Sequence, residues 1–232
     1  MNSYRGNGRK RKTRRKRKCL NAVRRKPYAA AGLLVLVILT VALGVYSCAS
    51  GKGRYADVDA SEPELDVQLL DVNPYSRPGI QSEGINGVVI HYTANPGSTA
   101  QENRDYFNGL QYSQETEASS NFIVGLDGEI IQCVPTWEVA YASNERNYDT
   151  VSIEVCHPDE TGEFTDETYE SLVQLTAWLC VKFSLTEDEV IRHYDVTGKI
   201  CPKYFVEHED AWEGFKENVG DAIRKTQEET QE

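Results

Sequence analysis

The apolar positions of this 232-residue chain recur with two periods, one typical of strands and one typical of helices. β-Branched runs predict buried strands at residues 87–93 (GVVIHYT) and 151–156 (VSIEVC). Residues 189–194 (EVIRHY) predict a further short strand or turn. Between them, two apolar runs joined by Asp127-Gly128 predict a hairpin, because this dipeptide favours the tight turns that connect antiparallel strands.

Helical spacing predicts three longer helices. Ser98 or Thr99 is expected to cap the first, which runs to about Leu110, and Thr165 is expected to cap the second, which runs to Phe183. The last helix is lined by four apolar residues, Trp212, Phe215, Val219 and Ile223. Strands that alternate with helices predict an α/β fold, with a single mixed β-sheet flanked by helices.

The first 48 residues differ sharply from the rest, since they hold 13 of the 25 Lys and Arg residues and none of the 36 Asp and Glu residues. Residues 29–47 are 19 uncharged positions, a length that just crosses a bilayer as a helix. The basic flank predicts a single-pass membrane anchor with the rest of the chain on the extracytoplasmic side. The alternative is a lipoprotein anchored at Cys48, since VYSC resembles a bacterial lipoprotein cleavage site.

These patterns predict five regions in order along the chain. They are a basic cytoplasmic tail (1–28), a transmembrane anchor (29–48), a linker (49–70), a globular domain (71–224) and a frayed acidic tail (225–232). The 40% hydrophobic content is enough for one ordinary core. The strongly acidic balance after residue 48 argues against nucleic-acid binding, because phosphates are bound by clustered Lys and Arg.

Two of the four histidines stand where metal chemistry is plausible. His91 ends an apolar strand, and His193 is followed eight residues later by Cys201. Two imidazoles and a thiolate suit zinc, and three protein ligands leave the fourth position that hydrolytic sites need. From spacing alone, a hydrogen-bonded structural histidine at a strand end is an equally good interpretation.

Four motifs, in this order and spacing, resemble one enzyme family: IHYTA, SSNFIVGLDGEIIQ, TVSIEVC and RHYDVTGKICPKYF. They are similar to the zinc-dependent N-acetylmuramoyl-L-alanine amidases of the amidase-2 family, which includes phage amidases and peptidoglycan recognition proteins. The resemblance implies Zn²⁺ bound by His91, His193 and Cys201. It also implies hydrolysis of the amide that joins N-acetylmuramic acid to L-alanine in peptidoglycan.

The same resemblance assigns two catalytic roles. Glu154 matches a glutamate that some relatives use as general base, and its position opposite the apolar face of its strand suits that role. Lys199 matches a lysine that stabilises the oxyanion in relatives. The competing interpretations are a solvated glutamate on an edge strand and a loop lysine without a role.

Three positions depart from the family pattern. Ser120 stands where some relatives have a catalytic tyrosine, Asn121 where many bacterial members have histidine, and Ala142 where some have a pocket histidine. His157 is expected at the pocket rim or in a loop, with a fourth-ligand role as the alternative. Outside the ligands, we expect buried thiols at Cys133, Cys156 and Cys180, with a Cys133–Cys156 disulfide conceivable outside the membrane.

The sequence therefore predicts a membrane-anchored, outward-facing zinc amidase that cleaves peptidoglycan. Two alternatives remain open, a recognition module that binds muropeptides without cutting them and a zinc peptidase that cuts within the stem peptide. The presence of both Cys201 and Glu154 favours the amidase, because recognition proteins without hydrolytic activity often lack the third ligand.

Overall fold

The computed structural model describes residue 55 and residues 57–229. Within these residues, six strands form one mixed sheet in the order β1-β4-β3-β5-β2-β6. β3, β5, β2 and β6 run parallel to one another, whereas β4 is antiparallel to β3 and parallel to β1. The predicted α/β fold with a single mixed sheet is confirmed.

The strands are short and most of the helices are longer. The strands are β1 (Asp66–Val67), β2 (Val88–Ile90), β3 (Phe122–Val124), β4 (Ile130–Gln132), β5 (Val151–Val155) and β6 (Val190–Arg192). The α-helices are α1 (Ala100–Ser113), α2 (Asp166–Phe183), α3 (His193–Thr197), α4 (Lys203–Glu207) and α5 (Glu209–Glu229). Two 3₁₀ helices, Asn144–Tyr148 and Glu187–Glu189, precede β5 and β6.

Local signals placed several elements correctly. The Thr99 hydroxyl accepts a hydrogen bond from Glu102 N and caps α1, and the Thr165 hydroxyl caps α2 in the same way. Gly128 turns the β3–β4 hairpin at φ +83°, and a Cβ there would lie 2.8 Å from the Glu167 carbonyl oxygen. Only glycine therefore fits this turn without strain.

The two faces of the sheet bury different sets of side chains. On the first face, alternate strand residues such as Ile90, Ile153 and Val155 pack against α2 and α5 in the larger core. On the second face, Ile123 and Ile131 pack against α1 in a smaller core. Because successive strand residues point to opposite faces, His91 and Glu154 lie on this second face, beside α1.

The segment expected to be a linker, residues 49–70, contributes to the domain wherever it is described. Asp66 and Val67 form β1 at the sheet edge, and Leu70 is buried, with its N–H donating to the Cys133 carbonyl oxygen at 2.9 Å. Val58 is buried in the larger core. This acidic stretch has no strong periodicity because a two-residue edge strand is too short to show one.

The end of the chain also differs from the expected frayed tail. α5 continues to Glu229, and the Thr226 hydroxyl accepts a hydrogen bond from Ala60 N at 2.7 Å. The predicted basic tail (1–28) and membrane anchor (29–48) lie outside the described residues. In the part of the chain that is described, no helix combines the length and the hydropathy that a bilayer crossing requires.

Candidate metal centre

The site lies where the parallel strands β2, β5 and β6 reach their carboxyl ends. Ile90 pairs with Ile153, so His91, the next residue, stands opposite Glu154 on the neighbouring strand. His91 N donates to the Ile153 carbonyl oxygen at 2.8 Å and extends the ladder by one bond. His193 follows β6 directly and begins α3. The backbone of the sheet therefore positions both histidines.

The structure brings together the three residues predicted as metal ligands. One side-chain donor atom from each of His91, His193 and Cys201 lies within 4.8 Å of the other two, and all three residues are buried. His91 Nδ1 is 3.8 Å from Cys201 Sγ, and the two imidazole centroids are 4.7 Å apart. His91 is more than a hundred residues from His193 and Cys201 in sequence, so the fold is required to assemble the cluster.

The outward nitrogens of both histidines contact the loop that precedes β5. His193 Nε2 lies 2.9 Å from Asn144 Oδ1, and because an amide oxygen only accepts, Nε2 carries the hydrogen. His91 Nε2 lies 3.1 Å from Ser143 Oγ. His193 Nδ1 therefore keeps a lone pair, and it is buried with no hydrogen-bond partner among the described residues.

Burial keeps the polar groups of the site uncharged. It lowers the pKa of His91 well below its ordinary value, and the positive charges that His193 and Lys199 can carry lower it further. Burial, followed by the nearby Glu154 carboxylate, raises the pKa of Cys201 to about 12. Burial also lowers the pKa of His193. Without a cation, the cluster would hold two neutral imidazoles and a thiol at neutral pH.

Glu154 is the most strongly perturbed carboxylate near the cluster. Burial raises its pKa to about 8, and the positive charge of Lys199 opposes that shift. The residue is half-buried, yet Oε2 is enclosed and has no hydrogen-bond partner within the described range. A buried carboxylate with an unused oxygen opposite a candidate metal ligand is poised to exchange a proton.

The chemistry of this donor set fits zinc. Zinc bonds of about 2.0–2.3 Å place tetrahedral ligand atoms roughly 3.5 Å apart, so the observed cluster needs only a small contraction. The enclosed, unpartnered imidazole lone pair of His193 is costly unless something uses it, and a metal ion bound there would do so. Ser143 and Asn144 are partners of the kind that orient metal-bound histidines.

Lys199 is exposed on the loop between α3 and α4. Its positive charge influences the pKa values of four groups in the site, namely His91, Glu154, His193 and Cys201. The structure thus brings Glu154 to the three candidate ligands and places Lys199 on the loop that leads to Cys201.

Two of the three positions that depart from the family pattern make hydrogen bonds within the fold, and the third lines a pocket. Ser120 Oγ donates to the Phe122 carbonyl oxygen at 2.6 Å. Asn121 Nδ2 donates to the Pro135 carbonyl oxygen at 3.1 Å, and its Oδ1 accepts from Ser152 N at 3.0 Å. Ala142 lines a pocket of about 200 Å³ with polar neighbours, namely Glu117, Tyr141, Asn144 and Asn147.

His157 and the remaining cysteines lie outside the ligand cluster. His157 is buried, its Nδ1 donates to the Asp159 carbonyl oxygen at 2.7 Å, and its ring stacks on Tyr92 with centroids 5.1 Å apart. Of the two expected positions, the loop is confirmed, since His157 lies in the segment that follows β5. Within the described residues every cysteine is a buried free thiol, so Cys133 and Cys156 are unlinked.

Ser143 and Asn144 are site residues that no sequence pattern predicts. Neither belongs to a motif with recognisable chemistry, and both contact the histidines only because the 3₁₀ helix Asn144–Tyr148 packs beside α3. An asparagine after a serine in a polar loop is an ordinary turn signal. The contact is a product of tertiary structure.

The sequence around this site matches a known protein family. Residues 81–204, more than half of the chain, match the family model described as N-acetylmuramoyl-L-alanine amidase. The chain belongs to the amidase-2 family. The matched residues include both histidines, Cys201, Glu154 and Lys199, so the family region contains the whole candidate site.

Curated relatives of this amidase-2 chain come from Bacillus. The N-acetylmuramoyl-L-alanine amidase CwlL of Bacillus licheniformis is 34% identical over 163 residues, which cover 65% of this chain and 45% of the relative. The amidase BlyA of Bacillus subtilis (strain 168) is 33% identical over 171 residues, with the same two coverages. The chain thus spans less than half the length of these relatives.

Solved structures support the same fold. The structure of PlyL aligns with a TM-score of 0.59 at 21% identity and covers 69% of this chain and 99% of PlyL. The catalytic domain of XlyA aligns with a TM-score of 0.58 at 23% identity and covers 68% of this chain and all of that domain. At this identity the similarity establishes the architecture alone.

Proposed function

We propose that this amidase-2 chain is a zinc-dependent N-acetylmuramoyl-L-alanine amidase, which hydrolyses the amide between N-acetylmuramic acid and L-alanine in peptidoglycan. One observation carries the proposal: an enclosed imidazole lone pair on His193 lies with His91 and the Cys201 thiol, and Glu154 stands opposite His91. Zinc is typical of the family, and curated relatives are named as amidases of this type.

His91, His193 and Cys201 would hold the zinc ion, with Ser143 and Asn144 fixing the orientation of the imidazoles. Zinc bound there supplies Lewis acidity, which polarises a carbonyl and makes water a nucleophile at neutral pH. Three protein ligands leave room for substrate, which agrees with a hydrolytic rather than a structural zinc site.

Glu154 would move the proton in the reaction. The carboxylate accepts a proton as water attacks the amide carbonyl, and the same carboxyl group delivers it to the alanine nitrogen as the C–N bond breaks. A pKa raised to about 8 by burial suits both halves of this exchange near neutral pH. The ammonium group of Lys199 would stabilise negative charge on the carbonyl oxygen in the transition state.

The test is turnover of a defined muropeptide by the full chain, measured beside its zinc content. General acid–base catalysis contributes about 10²–10⁴-fold, so Glu154→Gln should lower kcat by that factor while zinc stays bound. Glu115→Gln, an exposed glutamate after α1, is the matched control and should turn over normally.

Three results of this test would contradict the proposal in different ways. Near-normal turnover in zinc-replete Glu154→Gln would remove Glu154 from the reaction. Tight muropeptide binding without hydrolysis by the wild-type chain would favour a recognition module. A product cut within the stem peptide would identify a peptidase.

We also propose that the chain is anchored in the cell membrane with the amidase domain on the extracytoplasmic side. The support is sequence-based, since a basic run precedes 19 uncharged residues at positions 29–47. Protease added to intact protoplasts should then release the domain from the cell. Protection until lysis would contradict this orientation, and palmitate labelling that Cys48→Ala abolishes would identify a lipoprotein instead of a span.

A further inference from the structure

Arg192, the residue directly before His193, makes an unusually complete set of contacts. Its side chain is 8% exposed. Nε and Nη2 donate to the two carboxylate oxygens of Asp195 at 3.1 and 2.9 Å. Nη1 donates to the Phe205 carbonyl oxygen at 2.9 Å and to Glu209 Oε2 at 2.7 Å. The guanidinium therefore contacts two carboxylates and one backbone carbonyl at once.

Two of these partners, Asp195 and Phe205, lie near opposite ends of residues 193–205, the segment that carries the candidate ligands His193 and Cys201. Asp195 belongs to the first turn of α3, which begins at His193. Phe205 lies in α4, which begins two residues after Cys201. Tyr194 N also donates to the Cys201 carbonyl oxygen at 2.9 Å, so the segment is closed on itself. Arg192 thus joins the start of the segment to its end.

Two aromatic rings complete the environment of the guanidinium. Its Cζ lies 5.1 Å from the centroid of the Trp212 ring on α5 and 5.4 Å from the Tyr194 ring. A planar guanidinium contacts a carboxylate through two parallel hydrogen bonds while its flat face packs on rings, and a lysine ammonium cannot reproduce the two-point contact. The geometry of these contacts is therefore specific to arginine.

We propose that Arg192 is a positioning residue that sets the separation of His193 and Cys201, and through it the affinity of the site for zinc. This inference rests on the zinc site of the proposed function. Partners that orient metal ligands typically change metal affinity by about 10–100-fold when they are removed. Arg192 acts at one remove from the ligands, by joining the two ends of the segment that carries both.

The chain offers a close internal control in Arg77. Its side chain is 14% exposed, and it forms the same kind of two-point ion pair, with Nε and Nη2 at 2.8 and 2.9 Å from the Glu138 oxygens. Nη1 donates to the Leu70 carbonyl oxygen at 2.8 Å. Neither Glu138 nor Leu70 belongs to the ligand-bearing segment, so Arg77 matches the chemistry of Arg192 without its location.

The experiment compares Arg192→Lys with Arg77→Lys in the full chain. Zinc affinity is measured by chelator competition, and Co²⁺ absorption reports the geometry around the thiolate. We expect Arg192→Lys to raise the zinc Kd by about 10–100-fold and to shift the cobalt spectrum. Arg77→Lys should keep the wild-type spectrum and a zinc Kd within about twofold, although its metal-free melting temperature falls similarly.

Equal zinc affinities in all three proteins would overturn the inference, and so would an equal loss in both variants, which would indicate general destabilisation. If Arg192→Lys does not fold, Asp195→Asn tests the inference instead, since it removes the Asp195 carboxylate and keeps the arginine. A Kd raised by Asp195→Asn would then support the inference, and an unchanged Kd would overturn it. Weakened zinc binding in a chain that never hydrolyses muropeptide would contradict the proposed function and leave this inference standing.

Discussion

The two faces of the sheet differ in the side chains they bury, although these side chains come from neighbouring residues of the same strands. On β5, Ile153 and Val155 pack against α2 and α5 in a continuous apolar core. Glu154, between them in sequence, points to the other face and keeps an enclosed oxygen without a partner in the described structure. On β2, Ile90 and the adjoining His91 show the same contrast.

The contrast shows where stability and chemistry are separated. Buried apolar side chains stabilise the fold in proportion to the area they remove from water. An unpartnered buried polar atom works against stability and persists where a ligand or reaction uses it. The first face of this sheet therefore carries the larger apolar core, whereas the second combines a smaller apolar core with the polar groups of the site.

The largest expected effect comes from removing a candidate metal ligand. Cys201→Ala should abolish both zinc binding and muropeptide hydrolysis, because two imidazoles alone hold zinc weakly. The metal-free protein should unfold at nearly the wild-type temperature, since the larger core is untouched. Metal analysis, turnover and thermal unfolding of one preparation provide the three measurements.

Cys201→Asp is the matched variant, because a carboxylate is also a zinc ligand. It should recover part of the zinc content that alanine loses. Full zinc occupancy in Cys201→Ala would show that Cys201 is not needed for zinc binding. A large drop in its metal-free melting temperature would show that the site also stabilises the fold.

The next effect should come from the larger core. Leu172 on α2 is fully buried in the larger core, and Leu172→Ala should lower the free energy of unfolding by about 2–5 kcal/mol. Zinc affinity of the folded protein should stay at the wild-type value. Val181→Ala, an exposed position on the same helix, should change stability little. A zinc Kd that rises with Leu172→Ala would show that the faces are coupled.

A smaller effect should appear in the pH dependence of stability. Burial raises the pKa of Glu154 from 4.5 to about 8, so the folded state binds more protons than the unfolded state between these values. The free energy of unfolding of the metal-free protein should therefore carry a contribution that is complete below pH 4.5 and falls as pH rises toward 8. The loss should be on the order of a few kcal/mol.

Glu154→Gln isolates that contribution, because the histidines titrate in both proteins and cancel in the difference. The difference in unfolding free energy between wild type and variant should decline steadily across this window. Denaturant unfolding at several pH values measures it. Parallel curves from pH 4.5 to 8 would show that Glu154 is solvated and would weaken its role as a base.

Local sequence signals predicted the elements that depend on neighbours in the chain. Residue type and position predict Ser98 or Thr99 as the cap of α1 and Thr165 as the cap of α2, and turn chemistry predicts the hairpin at Asp127-Gly128. The strand before His91 and the strand around Glu154 were also predicted from their β-branched runs. These features need no knowledge of the tertiary structure.

Features that depend on distant contacts were not predictable in this way. β1 pairs with β4 across more than sixty residues, and its two residues carry no pattern. Ser143 reaches His91 across a gap of 52 residues. Arg192 reads as an ordinary strand-end cation until α4 and α5 are packed beside it. Motif resemblance found the ligands, whereas the residues that orient them required the folded chain.

The alignment of His91 with Glu154 also sets which sequence changes this family region can tolerate. The pairing between β2 and β5 fixes their register. Inserting or deleting one residue within either strand would therefore turn a functional side chain into the apolar core. Loops such as residues 156–165 carry no such constraint. Length variation among natural homologues should therefore accumulate in the loops and spare these two strands, even where few side chains remain identical.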